Sequence, residues 1–142
     1  MIEKPIKALF ISYFLTALIF LSIDVVWLSY AGKYFYEPNI GFLLRDEPII
    51  WAAALFYLFY PMGVSILIIK PAFSKKPVGQ VFWNGVVLGA MAYGTYNFTN
   101  MAILMGWSVE VVFVDIIWGG LLTGTSSVLG LKLTEKFLKI PN

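Results

Sequence analysis

The chain alternates between four long apolar stretches and short polar connectors. The apolar stretches cover roughly residues 8–30, 49–69, 81–105 and 109–131. Each is long enough for a helix that crosses a bilayer, which needs about 20 residues. Because the connectors are short, helices that follow one another should lie antiparallel. The pattern predicts an all-α membrane protein, a four-transmembrane-helix up-down bundle that forms a single domain over residues 1–142.

The first connector, residues 31–47, has a composition of its own. Its aromatic residues, among them Tyr34, Tyr36 and Phe42, stand between charged ones. Tyrosine and tryptophan favour the headgroup layer of a bilayer. We therefore expect a short interfacial segment between the first and second transmembrane helices.

The basic residues fall mainly on one side of the predicted bundle. Eight lie at the chain ends or in the second connector, namely Lys4, Lys7, Lys70, Lys75, Lys76, Lys132, Lys136 and Lys139, and the opposite side holds Lys33 and Arg45. The positive-inside rule therefore predicts that both termini are cytoplasmic. A basic start before an apolar run also resembles a signal peptide, but this run is longer than a signal h-region, so we expect it to be retained.

Composition supports the membrane assignment and excludes several kinds of site. Hydrophobic residues make up 60% of the chain and charged residues 13%, against about 25% charged in soluble domains. The chain has no His and no Cys, which excludes histidine-ligated metal and haem sites and thiolate chemistry. We expect no metal and no cofactor. A net charge of +2 is too small to suggest a nucleic-acid partner.

The polar residues of the apolar stretches are predicted to lie at one depth. Asp24 stands six residues before the outer end of the first stretch, and Asp115 six residues after the outer start of the fourth. Asn97 and Asn100 fall in the outer third of the third stretch. At 1.5 Å per residue, all four lie within about 5–12 Å of the outer surface. We therefore expect them to meet in one polar site.

Helical spacing places these residues on shared faces. Tyr93, Asn97 and Asn100 follow an i, i+4, i+7 pattern, and Tyr96 lies four residues before Asn100. In each of the other two helices an aspartate precedes a tryptophan by three positions, so the two share a face. The candidate ligand-binding or proton-binding residues are Asp24, Trp27, Tyr93, Tyr96, Asn97, Asn100, Asp115 and Trp118.

Each of these features also has a purely structural interpretation. The Tyr and Asn stripe could fix the register of packed helices, and the tryptophans could anchor the bundle at the membrane interface. The glycines at positions 85, 89, 120 and 124 indicate close helix contact. The two aspartates favour function, because an acid within a membrane span is costly and should face protein or water. Without a Lys or Arg in any stretch, their partners should be amides, tyrosine hydroxyls, indoles, water or each other.

Three motifs carry a resemblance to a known family: Asp-x-x-Trp-Leu in the first stretch, Tyr-Asn-Phe-Thr-Asn in the third and Asp-Ile-Ile-Trp-Gly in the fourth. They resemble the uncharacterised bacterial membrane family called domain of unknown function 2177. The matching residues are Asp24, Trp27, Leu28, Tyr96, Asn97, Thr99, Asn100, Asp115, Trp118 and Gly119. The resemblance implies a four-span protein of the bacterial inner (plasma) membrane. The family pattern usually has Asp where this chain has Asn97, so two acids stand where the pattern has three.

Three functions remain open. A polar, tryptophan-lined pocket in the outer half of the bundle could bind or transport a small molecule or a lipid, and Asp24 and Asp115 could couple this to protons. A structural or accessory membrane subunit would instead use the polar cluster to lock the bundle. An intramembrane aspartyl hydrolase would activate water with one Asp and protonate the leaving group with the other. We favour binding over catalysis. The expected partners are the lipid bilayer and a small-molecule or lipid ligand, with a homo-oligomer left open.

Overall fold

The computed structural model describes residues 5–73 and 76–139, and every regular element in these ranges is helical. The α-helices are α1 (Pro5–Ala31), α2 (Glu37–Ile40), α3 (Ile50–Val64), α4 (Val78–Ile103) and α5 (Val109–Leu138). The predicted all-α class is confirmed for this part of the chain. Lys4 and Lys75, which contributed to the predicted orientation, lie outside the described residues.

Helix α1 does not stop at the first connector. It continues through a π-helical turn (Gly32–Tyr36), α2 and a 3-10 turn (Gly41–Leu43), so the backbone is non-helical only over residues 44–49. In the π turn, the amide of Glu37 donates to the carbonyl of Gly32, five residues back. Pro38 does not interrupt this path, because it lies in the first turn of α2, where the missing amide is tolerated. Most of the predicted interfacial segment is therefore a helical extension of α1.

Helices α4 and α5 touch through their glycines. A β-carbon built on Gly89 would lie 2.1 Å from the carbonyl oxygen of Gly119, and one built on Gly85 would lie 2.7 Å from Cα of Gly124. Only glycine allows backbones to approach this closely. The partners run in opposite directions along the two helices, so α4 and α5 are antiparallel.

Helix α1 packs on another side of α5. Thr16 lies beside Gly130, whereas Asp24 accepts a hydrogen bond from Trp118. These contacts ascend α1 while they descend α5, so this pair is also antiparallel. Helix α3 contacts α1 through an aromatic cluster around Phe20. Helices α1 and α4 thus both pack on α5, and the start of α1 and the end of α5 lie at the same end of the bundle.

The two ends of the bundle differ in how they are filled. We call the end that holds the start of α1 and the end of α5 the packed half. Its buried apolar core consists of Ala8, Val64, Ile68, Ile69, Ala72, Phe73, Val81 and Leu131. We call the opposite end, which contains Asp24 and Asp115, the pocket half. The packed half fixes the helices side by side, and the pocket half carries the polar residues.

Three helical stretches of the described residues are long and apolar enough to cross a membrane: Ile6–Leu43, Ile50–Ala72 and Val109–Leu138. They contain the first, second and fourth of the predicted spans. Helix α4 has 26 residues, but its glycines, tyrosines and asparagines make it less apolar than these three. The described part of the chain is therefore all-helical, with three apolar candidate spans and one further long helix.

Candidate functional site

A pocket of about 780 Å³ opens in the pocket half between α1, α4, α5 and the connector that follows α1. We call it the central pocket. Charged side chains on its lining are Asp24, Asp115 and Arg45. Its aromatic walls are formed by Trp27, Tyr36, Tyr93, Tyr96, Trp107 and Trp118. A volume of this size matches that of small-molecule sites in proteins.

Asp24 is held by donors from two other helices. The hydroxyl of Tyr57 in α3 donates to Oδ2 at 2.6 Å, and Nε1 of Trp118 in α5 donates to Oδ1 at 2.9 Å. The residue is only 5% exposed. Both carboxylate oxygens of Asp24 therefore have a partner, and neither partner carries a charge.

Asp115 has a similar arrangement with different donors. Tyr36 donates from its hydroxyl to Oδ1 at 2.5 Å, and Asn97 donates from Nδ2 to Oδ2 at 3.0 Å. Asn97 is fully buried; it also donates to the carbonyl of Tyr93 and accepts from Nε1 of Trp107. The amide thus orients one face of the carboxylate and is itself fixed by α4 and by the loop before α5.

The two Asp-x-x-Trp motifs cross between α1 and α5. The indoles of Trp27 and Trp118 stack with their ring centroids 4.4 Å apart and their planes within 16°. The indole of Trp118 donates to Asp24 of α1. That of Trp27 donates to the hydroxyl of Tyr36, which in turn donates to Asp115 of α5. Each motif therefore supplies an indole that is hydrogen-bonded to the carboxylate of the other motif, directly for Trp118 and through Tyr36 for Trp27.

The electrostatics of the pocket follow from these contacts. In the described ranges, two tyrosine hydroxyls, one indole and one amide hydrogen-bond the two carboxylates. Such donors orient a carboxylate without neutralising it. Arg45 lines the same pocket from the connector. The pocket therefore presents two acidic groups on its helical walls and one basic group from the connector.

Most of the candidate residues are brought together. Six of the eight line the central pocket, namely Asp24, Trp27, Tyr93, Tyr96, Asp115 and Trp118. Asn97 lies behind Asp115 rather than on the pocket surface. Asn100 is not among the lining residues; its side chain is a hydrogen-bonding neighbour of Tyr96.

Four site residues did not emerge as candidates from the sequence. Tyr36, Tyr57 and Trp107 donate to Asp24, Asp115 or Asn97, and Arg45 lines the pocket. The sequence indicates the donors among them only indirectly, because buried acids without nearby basic residues need uncharged hydrogen-bond donors. Which tyrosines supply them depends on how α3 and the connector fold over α1, and that is not visible in a linear pattern.

Comparison with known protein families gives a match that covers most of the chain. The model of the family described as "Predicted membrane protein (DUF2177)" matches residues 9–132, a range that contains every residue of the central pocket. Neither a curated protein nor a solved structure matches the chain. Among the described residues, no group of three or more His, Cys, Asp or Glu is placed to hold a metal ion.

Proposed function

The chain belongs to the DUF2177 family of predicted membrane proteins, and we propose that its central pocket binds a small molecule or lipid that carries a positive charge. The observation that carries this proposal is that Asp24 and Asp115 line one pocket with aromatic walls. Because the donors on both carboxylates are uncharged, a ligand cation would supply the missing charge partner. Aromatic rings would add cation–π attraction.

The topology that we propose has four spans, with α4 as the third. At 1.5 Å per residue its 26 residues extend about 39 Å, which exceeds the hydrocarbon thickness of a bilayer. Its exposed side chains include the apolar Val87, Met91 and Phe98. Gly85, Gly89 and Asn97 face α5. The positive-inside rule then places the packed half at the cytoplasmic side of a bacterial inner membrane and the pocket half at the outer side.

Proton coupling would follow from the same carboxylates. A carboxyl group that has taken up a proton no longer attracts a cation, so protons and ligand compete for Asp24 and Asp115. Ligand affinity should therefore fall as the solution becomes acidic. In the Asp24→Asn and Asp115→Asn variants, this dependence on pH should become weaker.

Binding can be tested with choline and with neohexanol, its uncharged isostere. The purified protein in detergent is titrated with each compound while tryptophan fluorescence is recorded, since the pocket wall contains the three indoles of Trp27, Trp107 and Trp118. We expect choline to bind and neohexanol to bind at least about tenfold more weakly. The Asp24→Asn and Asp115→Asn variants should each lose about tenfold in choline affinity.

The matched control is Asp46→Asn, which removes an exposed acid of the connector that does not line the pocket. It should leave choline affinity unchanged. If choline and neohexanol bind equally, or if all three variants behave alike, the two pocket carboxylates do not select a cation and the proposal is wrong.

A structural role is the second candidate, and one observation favours it. Both oxygens of each carboxylate already accept a hydrogen bond from another element of the bundle, as expected of contacts that lock helices together. In that case the Asp24→Asn, Asp115→Asn double variant would lower the thermal stability and leave the binding of choline, if any, unchanged. The thermal stability and the choline affinity of this double variant therefore separate the two functions.

A further inference from the structure

Two apolar grooves flank the central pocket. One, of about 410 Å³, is lined by Phe56, Ala92, Tyr93 and Tyr96 and lies between α3 and α4. We call it the α3–α4 groove. The other, of about 460 Å³, runs along α1 to Trp118 of α5. We call it the α1–α5 groove; its lining includes Ile23, Val26 and Tyr30.

Each groove shares an aromatic pair with the central pocket. Tyr93 and Tyr96 line both the α3–α4 groove and the central pocket. Trp27 and Trp118 line both the α1–α5 groove and the central pocket. Each groove therefore borders the central pocket, and the two grooves meet it at different aromatic pairs.

We propose that these compartments together bind one two-chain phospholipid with an amine-bearing headgroup. The headgroup occupies the central pocket, and each groove holds the upper part of one acyl chain. This inference rests on the proposed function, because it takes the ligand cation to be the headgroup amine. It goes further by naming the class of ligand.

Charge complementarity selects the headgroup. A phosphoethanolamine headgroup carries a positive amine and a negative phosphate. The amine complements Asp24 and Asp115, and the phosphate complements Arg45 on the same pocket lining. A phosphoglycerol headgroup has the phosphate but no cation, so it would leave both carboxylates without a charge partner.

The two grooves account for the two acyl chains of the lipid. Side chains of both grooves, such as Val26 and Phe56, are exposed in the isolated chain, and in a bilayer this surface faces acyl chains. A lipid could thus raise its headgroup into the pocket while both of its chains stay in an apolar environment. A single-chain lipid would fill only one of the two grooves.

The experiment measures lipid binding to the full-length protein by native mass spectrometry from detergent. The probes are phosphatidylethanolamine, phosphatidylglycerol, the single-chain lysophosphatidylethanolamine and soluble phosphoethanolamine. We expect phosphatidylethanolamine to bind at least about tenfold more tightly than phosphatidylglycerol. The single-chain lipid should bind more weakly than its two-chain counterpart.

A groove variant tests the placement of the chains. Ala92→Trp would fill much of the α3–α4 groove; it should weaken phosphatidylethanolamine binding and leave phosphoethanolamine binding unchanged. The matched control is Val87→Trp, which adds the same bulk to an exposed position of α4 that lines neither groove. It should change neither affinity.

The outcomes separate this inference from the proposed function. If phosphoethanolamine binds and depends on Asp24 and Asp115, but phosphatidylethanolamine has no advantage over phosphatidylglycerol or tolerates Ala92→Trp, the lipid inference is overturned and the cation site stands. If neither choline nor any of the four probes binds, both are overturned.

Discussion

The packed half and the pocket half hold the same helices together by opposite means. In the packed half, α4 and α5 meet at Gly85 and Gly124, where a single added carbon would strike the neighbouring backbone. In the pocket half, stacked indoles and tyrosine–carboxylate bonds bridge the helices instead. The size of the residue at the interface therefore sets the distance between helices. Large residues keep a space open, and hydrogen bonds supply the cohesion that close packing supplies elsewhere.

The largest predicted effect belongs to the glycine contacts. Gly89→Ala would place a β-carbon 2.1 Å from the Gly119 carbonyl oxygen, which is backbone and cannot turn aside. We expect a loss of about 3 kcal/mol in the free energy of unfolding, at the upper end for overpacked interfaces. The measurement is unfolding in mixed micelles. Gly63→Ala, at a position with no atom within 4 Å of the new carbon, is the control and should not be destabilising; equal behaviour of the two variants would contradict the prediction.

The second prediction moves to the buried amide of the pocket half. Asn97→Leu keeps the branched shape of the side chain but removes the donor to Asp115 and the acceptor for Trp107. Leaving both groups unpaired should cost about 2 kcal/mol in the free energy of unfolding. Asn84→Leu, on the same helix but away from the pocket, provides the comparison. A cost no larger than that of Asn84→Leu would show that the amide does not hold the carboxylate.

The third prediction concerns the stacked indoles. A double-mutant cycle with Trp27→Ala and Trp118→Ala should give a coupling of about 1 kcal/mol, since the two rings stack directly on each other. Thermal unfolding of the four proteins provides the measurement. A parallel cycle that pairs Trp27→Ala with Trp83→Ala, an exposed tryptophan of α4, should be additive. Additivity in both cycles would mean that the stack contributes nothing of its own.

The smallest effect is expected at the boundary between the halves. Tyr60 and Thr123 share a hydrogen bond of 2.8 Å between their hydroxyls. Tyr60→Phe should lower stability by about 0.6 kcal/mol, the average found for such bonds between membrane helices. Tyr34→Phe, at an exposed position of the connector, should have no effect. A loss of several kcal/mol in Tyr60→Phe would contradict this and would mean that the hydrogen bond contributes as much to stability as the buried core of the packed half.

Sequence patterns predicted the long helices and the depth of the acids for a simple physical reason. The rise of an α-helix is fixed, so Asp24, Asn97 and Asp115 could be assigned to one level from their distances to the ends of apolar stretches. Asn100 shows the limit of this argument. It follows Asn97 by three residues, which turns its side chain by about 60° relative to Asn97. In the structure, the side chain of Asn100 is accordingly a hydrogen-bonding neighbour of Tyr96, and Asn100 does not line the pocket.

The connector could not be predicted in the same way. Its mixture of aromatic and charged residues suits a segment at the membrane interface. No pattern in these residues predicts the π turn at Gly32–Tyr36. Yet this turn carries Tyr36 to Asp115, from which it is 79 residues distant in the chain. Tyr57 reaches Asp24 across 33 residues. Such partners follow from the tertiary arrangement, whereas the need for uncharged donors follows from composition alone.

The bond between Trp118 and Asp24 also bears on how the protein is assembled. Synthesis delivers α1 to the membrane first and α5 last, and 94 residues separate the two partners. The carboxylate of Asp24 can recruit Tyr57 once α3 has entered, but its second oxygen must wait for the final helix. A chain that is cut short before α5 would therefore leave one oxygen of this buried acid without its donor.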